Sequence, residues 1–492
     1  MKNLFLLPAL FVSLGLIAAT TDCLHAATFN VTTANISGPG SLPVAIAQAN
    51  ATPGRNQIKI SVTNVITLGL QLPTITNSVA IAGIAAVPSI ISGGGALPLF
   101  AFAAGTTNSL SNLVLANGYT TNSGAAISNA SILSVSSCVI TNHDSFFGSG
   151  GAIINSGVMT ISSSVISGNQ ADTGSGGAVY NSGTMALNKS QSSDNRAGNG
   201  GAIFNAGTLA VSIFVMSNNL AEAGFGGGIY NTGALSVSQS TFLTNTAKVV
   251  SGIGGALFIY SGTVAITNST FCQNVAGEGG AVEMQSGSCI LVNCTIANNL
   301  SSVGGGISVY NTVVSLINTI VAGNSASSSS PDLKGAFVSS GVNLIGNNQG
   351  ATGLSLFDFQ NVAANLGPLQ NNGGPTLTCA PLPGSYAIGY GTSAGAPTTD
   401  QRGVPRPPNG AYDIGAVQTV TNSPYLMSSA FIKGVGFTLD SIFDASNKYR
   451  IQSSTNLAAW IDLYTNTSSG VLHFTDTTAT NLSRRFYRTA KP

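Results

Sequence analysis

Gly150-Gly-Ala-Ile-Ile-Asn-Ser-Gly157, Gly176-Gly-Ala-Val-Tyr-Asn-Ser-Gly183, Gly200-Gly-Ala-Ile-Phe-Asn-Ala-Gly207 and Gly226-Gly-Gly-Ile-Tyr-Asn-Thr-Gly233 are four copies of one phrase, and their spacing decides the fold. Read outward, small-residue triplets followed by an apolar residue begin at Gly124, Gly150, Gly176, Gly200, Gly226, Gly254, Gly279 and Gly304, in steps of 24 to 28 residues. A helical repeat needs amphipathic stretches of about 10 residues or more; here β-branched residues come in short runs, such as Leu209 to Val215 and Val264 to Thr267, between glycines. Strands recurring at a fixed period can each pair in parallel with the equivalent strand one coil away, about 4.8 Å along the axis, without crossover helices. The spacing predicts an all-β chain built as a right-handed parallel β-helix.

Two polar columns follow from the same register. Asn129, Asn155, Asn181, Asn205 and Asn231 each lie five residues after the first small residue of their coil. An amide donates and accepts, so it can bond its neighbours above and below, and these five are expected to form a structural ladder. Gly157, Gly183, Gly207 and Gly233 follow two residues after four of them, which predicts a turn with a positive φ. In the second column Phe242 precedes Asn245, Phe271 precedes Asn274, Ile296 precedes Asn299 and Val321 precedes Asn324, always by three residues.

Composition narrows the function. Lys and Arg number 16 and Asp and Glu 15 in 492 residues, for a net charge of +1, so neither nucleic acid nor a polyanion is an expected partner. Sixty glycines and abundant Ser, Thr and Asn interrupt every apolar run beyond the N-terminus, which predicts no transmembrane span in the mature chain. Residues 1–26 read as a signal peptide: Lys2, an apolar run from Leu4 to Ala19, and Ala26 as a small residue for cleavage. Thr20, Thr21 and Asp22 lack the Leu and small residues that precede a lipidated cysteine, so Cys23 is not read as an anchor. The chain is expected to be secreted or held at the outer cell surface. Cys138, Cys272, Cys289, Cys294 and Cys379 remain after cleavage, an odd number that implies no disulfide framework.

Gly-Gly-Ala-Ile/Val/Leu followed by Phe-x-x-Asn resembles the repeats of polymorphic outer-membrane proteins and other pectin-lyase-like β-helices, over roughly residues 120 to 330. Downstream, Leu366-Gly-Pro-Leu-Gln-Asn-Asn-Gly-Gly-Pro-Thr376, Pro381-Leu-Pro-Gly-Ser385, Thr399-Asp-Gln-Arg-Gly-Val-Pro-Arg-Pro407 and Asp413-Ile-Gly-Ala416 resemble the choice-of-anchor Q domain. The resemblance implies a bacterial secreted or surface β-helix and supplies no known reaction.

The organisation expected is therefore a signal peptide at 1–26, an N-terminal cap and first coils at 27–120, repeats at 121–330, last coils and the choice-of-anchor Q-like region at 331–420, and a separate block at 421–492. A helix is expected from Ser41 to Ala51, with the serine capping its first turn and Pro43 tolerated there. Tyr449-Arg-Ile-Gln-Ser-Ser-Thr-Asn-Leu-Ala-Ala-Trp460, Phe474-Thr-Asp476 and Arg485-Phe-Tyr-Arg488 alternate as a small antiparallel β-sandwich, with Trp460 read as core. That block resembles the C-terminal domain of secreted verrucomicrobial proteins.

Polysaccharide lyases and hydrolases share the β-helix scaffold, so candidate chemistry must come from sites. Asp172, Glu222 and Lys248 share one offset within their coils, which places the two carboxylates on one edge of the solenoid, about 10 Å apart by strand spacing. They are the only catalytic candidates the sequence offers, and they read as solvated positions in glycine-rich turns. His143 and Asp144 read as an exposed turn pair, and Arg402 and Arg406 as residues that fix a loop. No Asp-Asp pair, Gly-His-Gly or Arg-Ile-Lys of the polygalacturonases is present in the mature chain. No cofactor or metal is expected. The reading is a non-enzymatic secreted or surface-displayed rod with an adhesive or extracellular-layer role, whose partners are extracellular glycans or cell-surface components; the alternative is a polysaccharide lyase or glycoside hydrolase.

Overall fold

A computed structural model describes residues 27–248, 252–408, 412–419, 425–432, 435–443, 449–466, 470–481 and 484–490, so the expected signal peptide and Cys23 lie outside the described residues. The chain forms a parallel β-solenoid of about 13 turns. Among the described residues its main sheet wraps 33 strands into one continuous hydrogen-bonded surface, and a narrow sheet of 6 strands runs along one edge. The strands Ile132–Ser136, Val158–Ser162, Thr184–Ser193 and Thr208–Ser217 stack in unbroken parallel register, with Leu133 opposite Met159, Met185 and Leu209. Alternation does the sorting. Leu133, Val135, Met159, Ile161, Met185, Leu187, Leu209 and Val211 point into the coil and are buried, each side chain contributing about 1.5–3 kcal/mol when fully withdrawn from water.

Coils begin earlier than the regular spacing does. Thr28 pairs with Gln57, Gln57 with Ala80, and Ala80 with Ser109, so the first turns differ in length by several residues while the strand register is kept. Connecting loops absorb the difference, which erases the period from the sequence. The helix Leu42–Ala51 packs Leu42, Ala45, Ile46 and Ala49 into the solenoid core and covers the first coil. Ser41 stands at its N-cap in extended conformation but does not cap it: the hydroxyl donates to Gly38 O at 2.7 Å instead.

The two glycine columns have different causes. Gly124, Gly150, Gly176, Gly200, Gly226, Gly254, Gly279 and Gly304, the first residues of the repeat, all hold φ between 58° and 73°. Gly157, Gly183, Gly207 and Gly233 have no positive φ, contrary to expectation. A Cβ on Gly183 would stand 2.1 Å from Gly157 O, and one on Gly207 2.1 Å from Gly183 O, so these glycines allow backbones of adjacent coils to touch. Two further corners per coil use left-handed residues: Ser137, Ser163, Lys189, Ile213, Gln239, Asn268, Asn293 and Asn318 in one column, and Asn142, Asp194, Asn218, Thr244, Gln273 and Asn298 in the other.

After its last coil the chain turns back along the solenoid flank. Leu366–Gln370 and Thr378–Pro381 form an antiparallel hairpin, and the segment to about residue 419 lies as a strap over earlier coils. Thr241, Thr270, Thr295 and Ile320 point outward in one register column yet are buried, because the strap covers them. Gln401 Oε1 accepts from Thr270 Oγ1 at 2.6 Å, Ala416 N donates to Thr295 Oγ1, and Asn318 Nδ2 reaches Thr392 O. Arg402 forms a buried 2.8 Å ion pair with Asp400, and Arg406 donates to Asp413 O, Gly415 O and the Asn268 side chain. Removing one partner of such a buried pair costs about 3–5 kcal/mol.

Among its described residues the C-terminal block contains two antiparallel sheets of 3 strands each. Trp460 is not in its core. The ring is half-buried, its Nε1 donates to Leu457 O, and the Arg488 guanidinium lies 4.2 Å from the ring centroid, so a cation–π contact rather than burial holds it.

Candidate functional site

Buried polar chemistry in the solenoid is arranged as ladders. Asn129 Nδ2 donates to Asn155 Oδ1 at 2.7 Å, and the chain continues through Asn181, Asn205 and Asn231 at 2.7–2.8 Å. The second ladder is longer: Asn169, Asn195, Asn219, Asn245, Asn274, Asn299 and Asn324 each donate to the next at 2.8–3.0 Å, and the next Oδ1 also accepts the backbone N–H. A one-way row of amide donors needs an acceptor at its end. Asp332 supplies it, accepting from both the side chain and the backbone of Asn324, and Asp358 closes a third row by accepting from Asn343. Burial holds the Asp332 carboxyl above its ordinary value in spite of those bonds.

His143 heads the second ladder and is not an exposed turn residue. It is 1% exposed, its Nδ1 accepts from Gly118 N and its Nε2 lies 2.9 Å from Leu115 O, while its backbone N donates to Asn169 Oδ1. Burial pushes its pKa down to about 4, so it is a neutral imidazole with the proton on Nε2. Asp144 is half-buried with its carboxyl raised by burial and by Asp172, and the pair has no mutual contact with His143 to make an acid/base couple.

Asp172 and Glu222 lie in the strands Gln170–Ser175 and Leu220–Phe225 of the narrow sheet, not in turns. Ala171, Ala197, Ala221 and Ala247 are in register, which puts Asp172, Gly198, Glu222 and Lys248 in one column. Glu222 is held between Arg196 at 3.0 Å and Lys248 at 3.5 Å, and Asp172 accepts from Gln170. The two carboxylates share an edge but are engaged with different neighbours and converge on nothing.

A different outer column carries the distinctive chemistry, at the position four residues after each leading glycine. Tyr180, Phe204, Tyr230, Phe258, Glu283, Ser308 and Lys334 follow one another there in register. Tyr180 stacks on Phe204 with centroids 5.1 Å apart, Phe204 on Tyr230 at 4.8 Å, and Tyr230 meets Phe258 edge to face at 5.1 Å. Tyr260 and Phe225 pack against the same group, and Tyr260 is half exposed. The stripe ends in a polar cluster: Glu278 pairs with Lys334 and accepts from Ser308 Oγ at 2.9 Å, and Glu283 is 2% exposed with Oε2 unpartnered. Burial pushes the Glu283 carboxyl up to about 7. This column escaped the sequence reading because only the asparagine one residue later was followed; the run Tyr, Phe, Tyr, Phe at that offset was the available signal.

A pocket of about 520 Å³ opens between the last coils and the start of the strap, lined by Asn298, Asn324, Asp332, Asn347 and Asn365 among small residues. Its amides belong to corners and ladder ends. Among the described residues no group of three or more His, Cys, Asp or Glu is placed to hold a metal ion, and no helix is long and apolar enough to cross a membrane. The fold and these columns define the class: a parallel β-solenoid repeat protein. No protein-family profile, curated protein or solved structure matches the chain.

Proposed function

We propose that this chain is a secreted or surface-displayed β-helix rod that works by adhesion, holding neutral extracellular glycans or other cell-surface components against its outer face. The observation that carries this reading is the aromatic stripe from Tyr180 to Tyr260. Tyrosines held rigid by their neighbours offer apolar edges and phenolic hydroxyls at little conformational cost, the chemistry of binding hot spots. The low charge of the chain and the internal pairing of Glu278 with Lys334 match an uncharged partner better than a polyanion. The leader-like residues 1–26 and the resemblance to polymorphic outer-membrane protein repeats and choice-of-anchor Q domains support export and display.

The runner-up, a polysaccharide lyase or glycoside hydrolase, draws its support from Glu283, a carboxyl raised to about 7 beside the ion-paired Glu278. Burial of Glu283 beneath its neighbours argues against substrate contact. Incubation with pectins, alginates and neutral glucans, with and without calcium, should release neither reducing ends nor unsaturated products. Release abolished by Glu283→Gln would replace adhesion with catalysis.

A further inference from the structure

We infer that Cys272 and Cys379 are the two halves of a disulfide that fastens the strap to the solenoid. Cys272 ends the strand Thr270–Cys272 and faces outward with Thr270, toward the strap; Cys379 lies in the strap hairpin strand Thr378–Pro381. The two segments are already docked around them, with Thr241 Oγ1 donating to Leu377 O at 2.6 Å and Thr270 to Gln401. Both cysteines are free thiols and fully buried, and each is the leading influence on the other's acidity. The other three cysteines are placed differently. Cys138, Cys289 and Cys294 point into the apolar solenoid core, where burial raises each thiol. Cys379 instead holds Cys272 below its ordinary value, which favours its thiolate as the attacking group.

The oxidant is a disulfide donor. The Cys272 thiolate attacks one donor sulfur and expels the first donor thiol, leaving a mixed disulfide. Cys379 then gives up its proton and attacks the Cys272 sulfur, expelling the second. Two protein thiols become one disulfide, and the donor leaves as two thiols carrying the two electrons and two protons. Because both sulfurs are enclosed once the strap is seated, the exchange belongs to folding. The bond closes a loop of 106 residues, the long-loop case in which a cross-link restrains the unfolded chain most.

The test uses the full chain, refolded with oxidised glutathione, then denatured, alkylated with iodoacetamide, digested with a low-specificity protease and analysed by mass spectrometry without reduction. The expected result is one cross-linked peptide pair containing Cys272 and Cys379, two hydrogens lighter than its parts, with Cys138, Cys289 and Cys294 alkylated. Protein refolded with reductant present throughout should lose residues 366–419 to proteolysis about tenfold or more faster than protein refolded with oxidised glutathione, and the Cys272→Ser/Cys379→Ser protein should show no difference between the two refolding conditions. Alkylation of both Cys272 and Cys379 after refolding, or their linkage to any other cysteine, overturns the assignment.

Discussion

Replacing Glu283 by Gln should make the protein more stable in alkaline solution and leave it unchanged in acid. The carboxyl is 2% exposed and one of its oxygens has no partner. Burial is the main cause that raises it from an ordinary 4.5 to about 7, with Glu278 adding to the effect and Ser308 and Lys334 opposing it. The unfolded chain releases this proton near 4.5 and the folded chain near 7, so the contribution is complete below 4.5 and is lost as pH rises through 7. At about 1.4 kcal/mol for each tenfold change in acidity, the gap corresponds to roughly 3 kcal/mol. Gln keeps the shape, can still meet Ser308 and carries no charge to bury. Thermal melts of both proteins from pH 4 to pH 9 should coincide near pH 4, diverge between about pH 4.5 and 7 and keep a constant gap above that, the variant melting about 4 °C higher for a cooperative unit of about 400 residues. A wild-type advantage at pH 9, or parallel curves throughout, would refute the burial argument.

Asn195→Ala breaks the long ladder by taking the acceptor from the buried Asn169 backbone N–H and one of the two acceptors from its side-chain amide, and it should cost about 1–3 kcal/mol in denaturant unfolding; a loss within experimental error would show that the ladder is ornamental. Ile213 is the one β-branched residue in a corner column of Ser, Lys, Gln and Asn, at φ 52°, so Ile213→Asn should gain about 1 kcal/mol in the same assay, and a loss would show that its half-buried packing outweighs the strain. Product assays on acidic and neutral polysaccharides should stay blank, as the adhesive reading requires.

The glycine phrase was legible because each coil repeats both its left-handed corner and its turn to an inward apolar strand, and both demands fall on residue type. The asparagine columns were legible for the same reason. Gly157 and its equivalents were misread because close backbone approach and positive φ both call for glycine, and only coordinates separate them. The first coils were hidden by loop lengths that vary while register holds. His143 was hidden because it replaces asparagine at the head of a column and satisfies its ring through Gly118 and Leu115, contacts more than 24 residues away. The strap was invisible for a related reason: Gln401 and Arg406 bind partners over 130 residues earlier, and no local pattern records such pairings. Trp460 shows the limit of residue-type expectation, since a single arginine above its ring replaces a core.

Adhesion through the stripe from Tyr180 to Tyr260 is measured by binding to an immobilised array of extracellular glycans. The purified chain should bind neutral polysaccharides with little dependence on salt, because charge plays no part in the contact. Tyr180→Ala/Tyr230→Ala/Tyr260→Ala, with its β-sheet circular dichroism intact, should lose at least about tenfold in affinity. Equal binding by the two proteins, or no binding of the wild type to any glycan, would contradict adhesion through this face.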